Sequence, residues 1–387
     1  MEVNKRKYCF IVFGLLFSGV LAFAGGKADP NTVVIGSVLP LSGPMAAYGE
    51  HARNGMELAV EEINASGGVN GRSLRIVYED DKASPAQAVN AFKRLVSRHK
   101  VPAVIGSVTS ACTQAIAPLA QSRKTVLLVP ASTVVSITDT GDYIFRTCFT
   151  DDFQGIVGGN FAVRDLGAAK AAILYDSSTE YSTALMRTFA YAVESQGGEI
   201  AAVEAYSSDA TDFSSQISRI KSAVPDVIYI PDYYTRVMLI SKQIRDEGIS
   251  VPLIGTDAWD GALALGNTNT GGELLNSFFS SHYDPGAPEP EVVNFVTTYR
   301  AKYRATPDSL AALGYDSVYL LRSALANAGA GDSRSIRDAL AVSTGHYVTG
   351  VLSFDENRNP KKSAFMLEIV NNAKGNLAAV YKTTVNP

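Results

Sequence analysis

The stretch TVVIGSVLPLSGPMAAYGEHARNGMELAVEEINASGGVNGRSLRIVYED, residues 32–80, reads as strand, helix and strand in turn. It opens on Thr32-Val33-Val34-Ile35-Gly36, a short apolar run rich in β-branched residues, which reads as a buried strand. A turn-rich Pro40-Leu41-Ser42-Gly43-Pro44 follows. Met56, Ala59, Val60 and Ile63 then recur at helical spacing and form one apolar stripe. Gly67-Gly68 and Asn70-Gly71 end that helix. Leu74, Ile76 and Tyr78 alternate with Arg75, Val77 and Glu79, the period of a second strand.

The rhythm continues outward. A helix through Val89, Phe92 and Val96 leads to a strand at Val101 to Ile105. Another helix begins near Ser110, and Val126 to Val129 makes a fourth strand. After Arg146 the pattern restarts, with a helix around Ile156 to Leu166 and a strand at Ala171 to Tyr175. Leu185, Phe189 and Val193 form the next helical stripe, and Phe213, Ile217 and Ile220 another. Val227 to Ile230 and Val251 to Ile254 read as short buried strands. Strands alternating with helices imply parallel sheets with right-handed crossovers. Two such runs imply an α/β protein of two Rossmann-like, doubly wound lobes. No Pro/Gly/Ser tether separates them, as expected of lobes joined by strand crossovers rather than strung like beads.

Composition agrees with this size. The chain has 387 residues, 46% of them hydrophobic, enough for two or three domains and a sizeable core. Its 34 basic and 38 acidic residues give a formal charge of −4, without the basic excess of a nucleic-acid binder. Three cysteines and four histidines (His51, His99, His282, His346) are too few and scattered for a zinc ribbon or a disulfide scaffold. No metal and no cofactor is expected.

The first residues form an address. Lys5, Arg6 and Lys7 precede an apolar run from Tyr8 to Phe23, and Ala22-Phe23-Ala24 precedes Gly25-Gly26. A positive start, a short apolar core and an A-x-A-like site make a secretory signal, residues 1–24, cut after Ala24. The run is marginal for a membrane span, the alternative reading. Cleavage removes three cations and Glu2, so the formal charge moves from −4 to −6. Cys9 lies too early to be a lipid-anchored first residue. The mature protein is expected to be soluble in the periplasm, where the remaining Cys112 and Cys148 are open to disulfide formation. Two separate buried thiols is the preferred reading.

In open parallel sheets ligands bind beyond the carboxyl ends of strands. Ile105 is followed by Gly106-Ser107-Val108-Thr109-Ser110-Ala111-Cys112-Thr113, and Val129 by Pro130-Ala131-Ser132-Thr133. Hydroxyls and free amides at a helix start suit a carboxylate. Ser and Thr also cap helices as a matter of course, but two such loops at neighbouring strand ends favour an anion site. In the second lobe the corresponding loops are Asp176-Ser177-Ser178-Thr179-Glu180-Tyr181, Pro231-Asp232-Tyr233-Tyr234 and Gly255-Thr256-Asp257-Ala258-Trp259-Asp260. Carboxylates pair with ammonium groups, and aromatic faces attract cations. The alternative is that Asp176 and Asp257 cap helices while Tyr233 and Trp259 only pack. Taken together the two lobes point to an amino acid or similar zwitterion held between them.

Enzyme signatures are missing: no G-x-G-x-x-G follows the first strand, and no Walker A, H-E-x-x-H or G-x-S-x-G occurs. Ser110 at a helix start could be drawn as a nucleophile, but no histidine is read at a neighbouring strand end to activate it. No enzyme activity is expected.

The same loops resemble the periplasmic branched-chain amino-acid-binding family of ABC importers. The resemblance runs from about Thr32 to the C-terminus. It is carried by Pro40-Leu41-Ser42-Gly43-Pro44 with Tyr48-Gly49, Gly55, and Ala59 through Ile63-Asn64 to Gly67-Gly68-Val69-Asn70-Gly71. It continues through Asp80-Asp81, Pro85, Ala88, Ile105-Gly106 and Pro130-Ala131. Later come Phe295, Tyr299, Tyr303, Pro307, Tyr315-Asp316, Gly350 and Phe354-Asp355. Order and spacing over nearly the whole chain carry it, rather than any single motif.

The resemblance implies two lobes, three hinge crossovers and closure around a ligand: the type I periplasmic binding protein fold. It divides the chain into an N-terminal lobe, 30–147 plus 282–353, and a C-terminal lobe, 148–281 plus 354–387. It makes Ser110, Ala131 and Thr133 the α-carboxylate site, Tyr181 and Tyr233 the closing lobe's contacts, and Asp257 the partner of the α-ammonium. Leucine-binding members carry Glu at that last position. Tyr48, Trp259 and Tyr315 are expected to line the side-chain pocket. The family's early disulfide is lost, since Lys82 and Thr109 stand at its positions. The implied partners are an ABC permease and its ATPase subunits, with the binding protein itself a monomer. Amides, urea or aromatic acids as ligands, or a sensor role, are the alternative within this fold.

Overall fold

A computed structural model describes residues 29–265, 272–329, 331–372 and 375–386. The expected signal segment, residues 1–24, lies outside the described residues. The first run of elements is β1 (Thr32–Leu39), α1 (Ala46–Ala65), β2 (Ser73–Asp80), α2 (Pro85–Ser97), β3 (Ala103–Gly106), α3 (Ser110–Arg123), β4 (Val126–Val129), α4 (Ser136–Asp139) and β5 (Ile144–Arg146). Its five strands form a parallel sheet in the order β2-β1-β3-β4-β5. β3, β4 and β5 are buried at every position, which is why they read as unbroken apolar runs. α1 buries Met56, Ala59 and Ile63 of the expected stripe, leaves Val60 half-buried, and adds Tyr48 and Ala52.

The second run comprises α5 (Asp151–Asn160), β6 (Lys170–Asp176), α6 (Glu180–Ser195), β7 (Glu199–Tyr206), α7 (Ser214–Ala223), β8 (Val227–Tyr229), α8 (Tyr234–Asp246), β9 (Leu253–Gly255), α9 (Asp260–Leu265) and β10 (Ser277–Ser281). The helix expected around Ile156 to Leu166 starts earlier, at Asp151, and its last turn, Phe161–Asp165, widens to a π-helix. The chain then returns to the first sheet's side with α10 (Pro290–Tyr303), α11 (Ser309–Asn327) and α12 (Ser333–Ala341). α11 packs along α1, and α12 reaches β4. A short hairpin, β11 (Thr344–Tyr347) and β12 (Gly350–Ser353), leads to β13 (Ala364–Asn371) and β14 (Leu377–Val385).

The second sheet has the order β14-β13-β10-β9-β8-β6-β7. It is not wholly parallel: β13 runs antiparallel to β10, and β14 antiparallel to β13. These strands return without a crossover helix, so the strand–helix rhythm does not announce them. The chain therefore passes between the sheets three times: after β5, after β10 and after β12. Each sheet reverses its order at one strand, β1 in the first and β6 in the second, and the loops beyond those strands face the same cleft. Cys112 and Cys148 are separate buried thiols, both pushed up to about 12 by burial. No helix among the described residues is long and apolar enough to cross a membrane.

Candidate functional site

Ser110, the first residue of α3, is 3% exposed, and its backbone amide donates to the Tyr233 hydroxyl at 3.3 Å. The loop after β4 is shaped from behind by Arg146, a fully buried arginine at the end of β5. Its guanidinium donates to the carbonyls of Thr133 (2.7 Å), Val134 (2.8 Å) and Val135 (3.1 Å). Its two terminal amino groups fasten the loop that carries Ala131 and Thr133, while Nε is buried without a partner. Thr113 and Ser132 link the two loops through their hydroxyls at 2.6 Å.

From the second lobe, the Tyr181 hydroxyl donates to Thr256 Oγ1 at 2.8 Å and lies 3.0 Å from Asp257 Oδ1. Its ring stacks on Tyr233 with centroids 5.0 Å apart. Asp257 follows β9 in a tight 3₁₀ turn, and its amide donates to Gln154 Oε1 at 2.6 Å. Its other carboxylate oxygen is 3.1 Å from His282 Nε2. Tyr48, from α1, crosses the cleft and donates its hydroxyl to the Ala258 carbonyl.

These groups surround one cavity, lined by Tyr48, Ser110, Ala131, Tyr181, Tyr233 and Asp257, with Val108, Leu310 and Leu313 as its apolar wall. With the lobes closed its volume is ≈ 10 Å³, room for about one water. An amino acid therefore enters only when the lobes part or the tyrosines withdraw.

Two expected lining residues are elsewhere. Trp259 is fully buried against Gly255, with its indole N–H donating to the Ile230 carbonyl at 3.0 Å. Its size and its single donor are both satisfied inside the second lobe. Tyr315 donates to Glu62 at 2.5 Å and packs beside Phe295 and Tyr319, on a face of α11 turned toward α1. Thr133 lies just behind the lining; its hydroxyl is buried without a partner.

Other residues were not anticipated. Asp151 opens α5, is 0% exposed, and neither carboxylate oxygen has a hydrogen-bond partner. Burial holds its carboxyl well above the usual range. Its amide donates to the Thr133 carbonyl at 3.0 Å, tying the crossover to the β4 loop. In the sequence Asp151 looks like an acid complementing a helix dipole. His282 follows β10, a strand that SFFSS does not distinguish from a loop, so the cavity does contain a histidine at a strand end. It engages Asp257, however, and its Nδ1 has no partner, so it does not activate Ser110.

Two facing α/β lobes, grips from both sides and a cavity between them define a solute-binding protein. The profile of the periplasmic binding protein family matches residues 32–374, and the chain belongs to that family. It is 27% identical over 350 residues to the leucine-, isoleucine-, valine-, threonine- and alanine-binding protein of Pseudomonas aeruginosa, covering 89% of this chain and 92% of that one. Among solved structures it is similar to the branched-chain amino-acid transporter substrate-binding protein LivJ of Streptococcus pneumoniae, determined with isoleucine. There the identity is 33%, the TM-score 0.83, and the match covers 92% of this chain and all (100%) of that one. It is also similar to the leucine-binding protein LivK of Thermotoga maritima, with 32% identity, a TM-score of 0.85 and coverage of 92% and 99%. The family and these relatives are solute-binding proteins, not enzymes, and membership implies an extracytoplasmic location.

Proposed function

We propose that the chain is the solute-binding component of an ABC importer, capturing an amino acid, branched-chain or related, between its lobes for delivery to a permease. The observation that carries this reading is the placement of Asp257 on one lobe opposite Ser110 and Ala131 on the other, in one cavity. A zwitterion has its two charges a few bonds apart and needs opposed grips of this kind. Ser110 and Ala131, with Thr133 behind them, receive the α-carboxylate in this reading, and Asp257 the α-ammonium, with Tyr181 and Tyr233 closing over it. Tyr48, Val108, Leu310 and Leu313 face the ligand's side chain. Lobe exchange falls at 147/148, 281/282 and 353/354, the protein acts as a monomer, and residues 1–24 are removed on export.

The test is a thermal-shift screen of the exported protein, stripped of carried ligand by unfolding and refolding, against all amino acids. A ligand that binds only the folded state at 100 times its Kd adds about 2.7 kcal/mol of stability. A clear rise in Tm with a few amino acids is expected. No rise with any of them would reject Asp257 as an ammonium partner.

A further inference from the structure

His282 sits where the ligand site meets the hinge. It lies on the second passage between sheets, immediately after β10, and is 0% exposed. Its ring stacks on Phe149, from the first passage, with centroids 3.8 Å apart and an interplanar angle of 26°. Nε2 is 3.1 Å from Asp257 Oδ2, and Nδ1 is buried with no protein partner although the ring lines the cleft.

We infer that His282 sets the polarity of the cleft: a neutral imidazole, it donates from Nε2 to Asp257 and presents a bare Nδ1 lone pair to the ligand's ammonium. The inference rests on the amino-acid reading above and goes further by assigning this position a role. The chemistry follows from the donor inventory. A carboxylate is acceptor-only, so the nitrogen facing it carries the proton, and a neutral ring then leaves the other nitrogen as an acceptor. Burial pushes the imidazole down to about 4, and the Lys362 charge on the third passage acts in the same direction, against the pull of Asp257. Were the ring charged, it would neutralise Asp257 and repel the cation that Asp257 is placed to meet. A neutral donor orients the carboxylate without that competition, and the unpaired lone pair suits an N–H donor while disfavouring a carboxylate. The ligand is thereby oriented ammonium toward His282, carboxylate toward Ser110.

The test pairs variants with ligands. Affinities of wild type, His282→Leu and His282→Gln are measured calorimetrically for each standard amino acid and for its analogue lacking the α-amino group. His282→Leu should weaken amino-acid binding about 10- to 100-fold, the range for hydrogen bonds to charged groups. His282→Gln, which keeps a donor and an acceptor, should recover most of that loss. Neither should change the weaker binding of the desamino analogues. On wild-type protein, ¹⁵N-histidine NMR at neutral pH should show His282 neutral with the proton on Nε2, assigned by difference from His282→Gln. An imidazolium, an Nδ1-protonated ring, or equal losses for amino acids and desamino analogues would overturn the inference. Amino acids that bind His282→Leu as well as wild type would overturn it alone. Failure of every amino acid to bind wild type would bring down the functional reading as well.

Discussion

Asp257 and Asp151 are two carboxylates in one small region with opposite surroundings. Asp257 has both oxygens engaged, by Tyr181 and His282. Removing one member of a buried pair typically costs about 3–5 kcal/mol. Asp257→Ala should therefore weaken amino-acid binding at least about 100-fold by calorimetry. Asp151 has neither oxygen paired. Asp151→Asn should raise the Tm of the ligand-free protein, because burial penalises a carboxyl that is ionised in the unfolded chain and an amide carries no such charge. The same change should reduce the stabilisation each amino acid confers, the usual exchange of stability for function at a binding site. Six of the anticipated residues line the cavity: Ser110, Ala131, Tyr181, Tyr233 and Asp257, which follow strands legible from their apolar runs, and Tyr48, which only the family resemblance implied. Trp259 and Tyr315 lie outside the cavity lining, since an aromatic ring near a strand end or on a helix carries no mark of which face it takes. His282 was missed because its strand lacks both alternation and an apolar run.

At the scale of elements, the α1–α11 seam is the contact that shapes the cleft's first-lobe wall. The two helices cross backbone to backbone: a Cβ at Gly55 would lie 1.9 Å from the Ala311 carbonyl oxygen, and one at Gly314 would lie 2.4 Å from that of Ala52. Gly55→Ala must push the helices apart, with an expected cost of about 1–3 kcal/mol in a urea titration and weaker ligand binding. Displacing α11 moves Leu310 and Leu313, and displacing α1 moves Tyr48. The seam also holds His51 against Asp308, the N-cap of α11. Asp308 raises the imidazole from its ordinary value to about 9. The pair's stabilisation is full below pH 6.5, the unfolded value, and is lost as pH rises through about 9. Wild type should lose more Tm than His51→Gln between pH 6.5 and 9.5. The helices of this seam were legible from their stripes, but their pairing was not, since contacts across the length of the chain leave no local pattern.

At the scale of the molecule, the closed arrangement is held by bonds that reach from lobe to lobe. The Tyr234 hydroxyl donates to the Pro44 carbonyl at 2.6 Å, the Ser309 amide to Asp260 at 2.8 Å, and Ser136 to Glu180 at 2.9 Å. Tyr48 adds its bond to the Ala258 carbonyl. Each can be made only when the lobes meet, so each contributes to the affinity of a ligand that closes them. Tyr48→Phe should raise Kd about 3- to 10-fold, the worth of one hydrogen bond, and leave the ligand-free Tm nearly unchanged. Small-angle scattering should show a weaker contraction on adding ligand. Two lobes were evident in the repeated rhythm. The antiparallel return of the last two strands was not, because no helix marks it. That exchange of chain has a consequence for biosynthesis. The Tyr303 hydroxyl meets the carbonyl of Asn54, 249 residues earlier, and α1 waits still longer for α11. A ribosome must therefore release most of the polypeptide before either lobe can be completed. Until then the growing thread has no finished core to lock it, the loose state that the export proposed above requires.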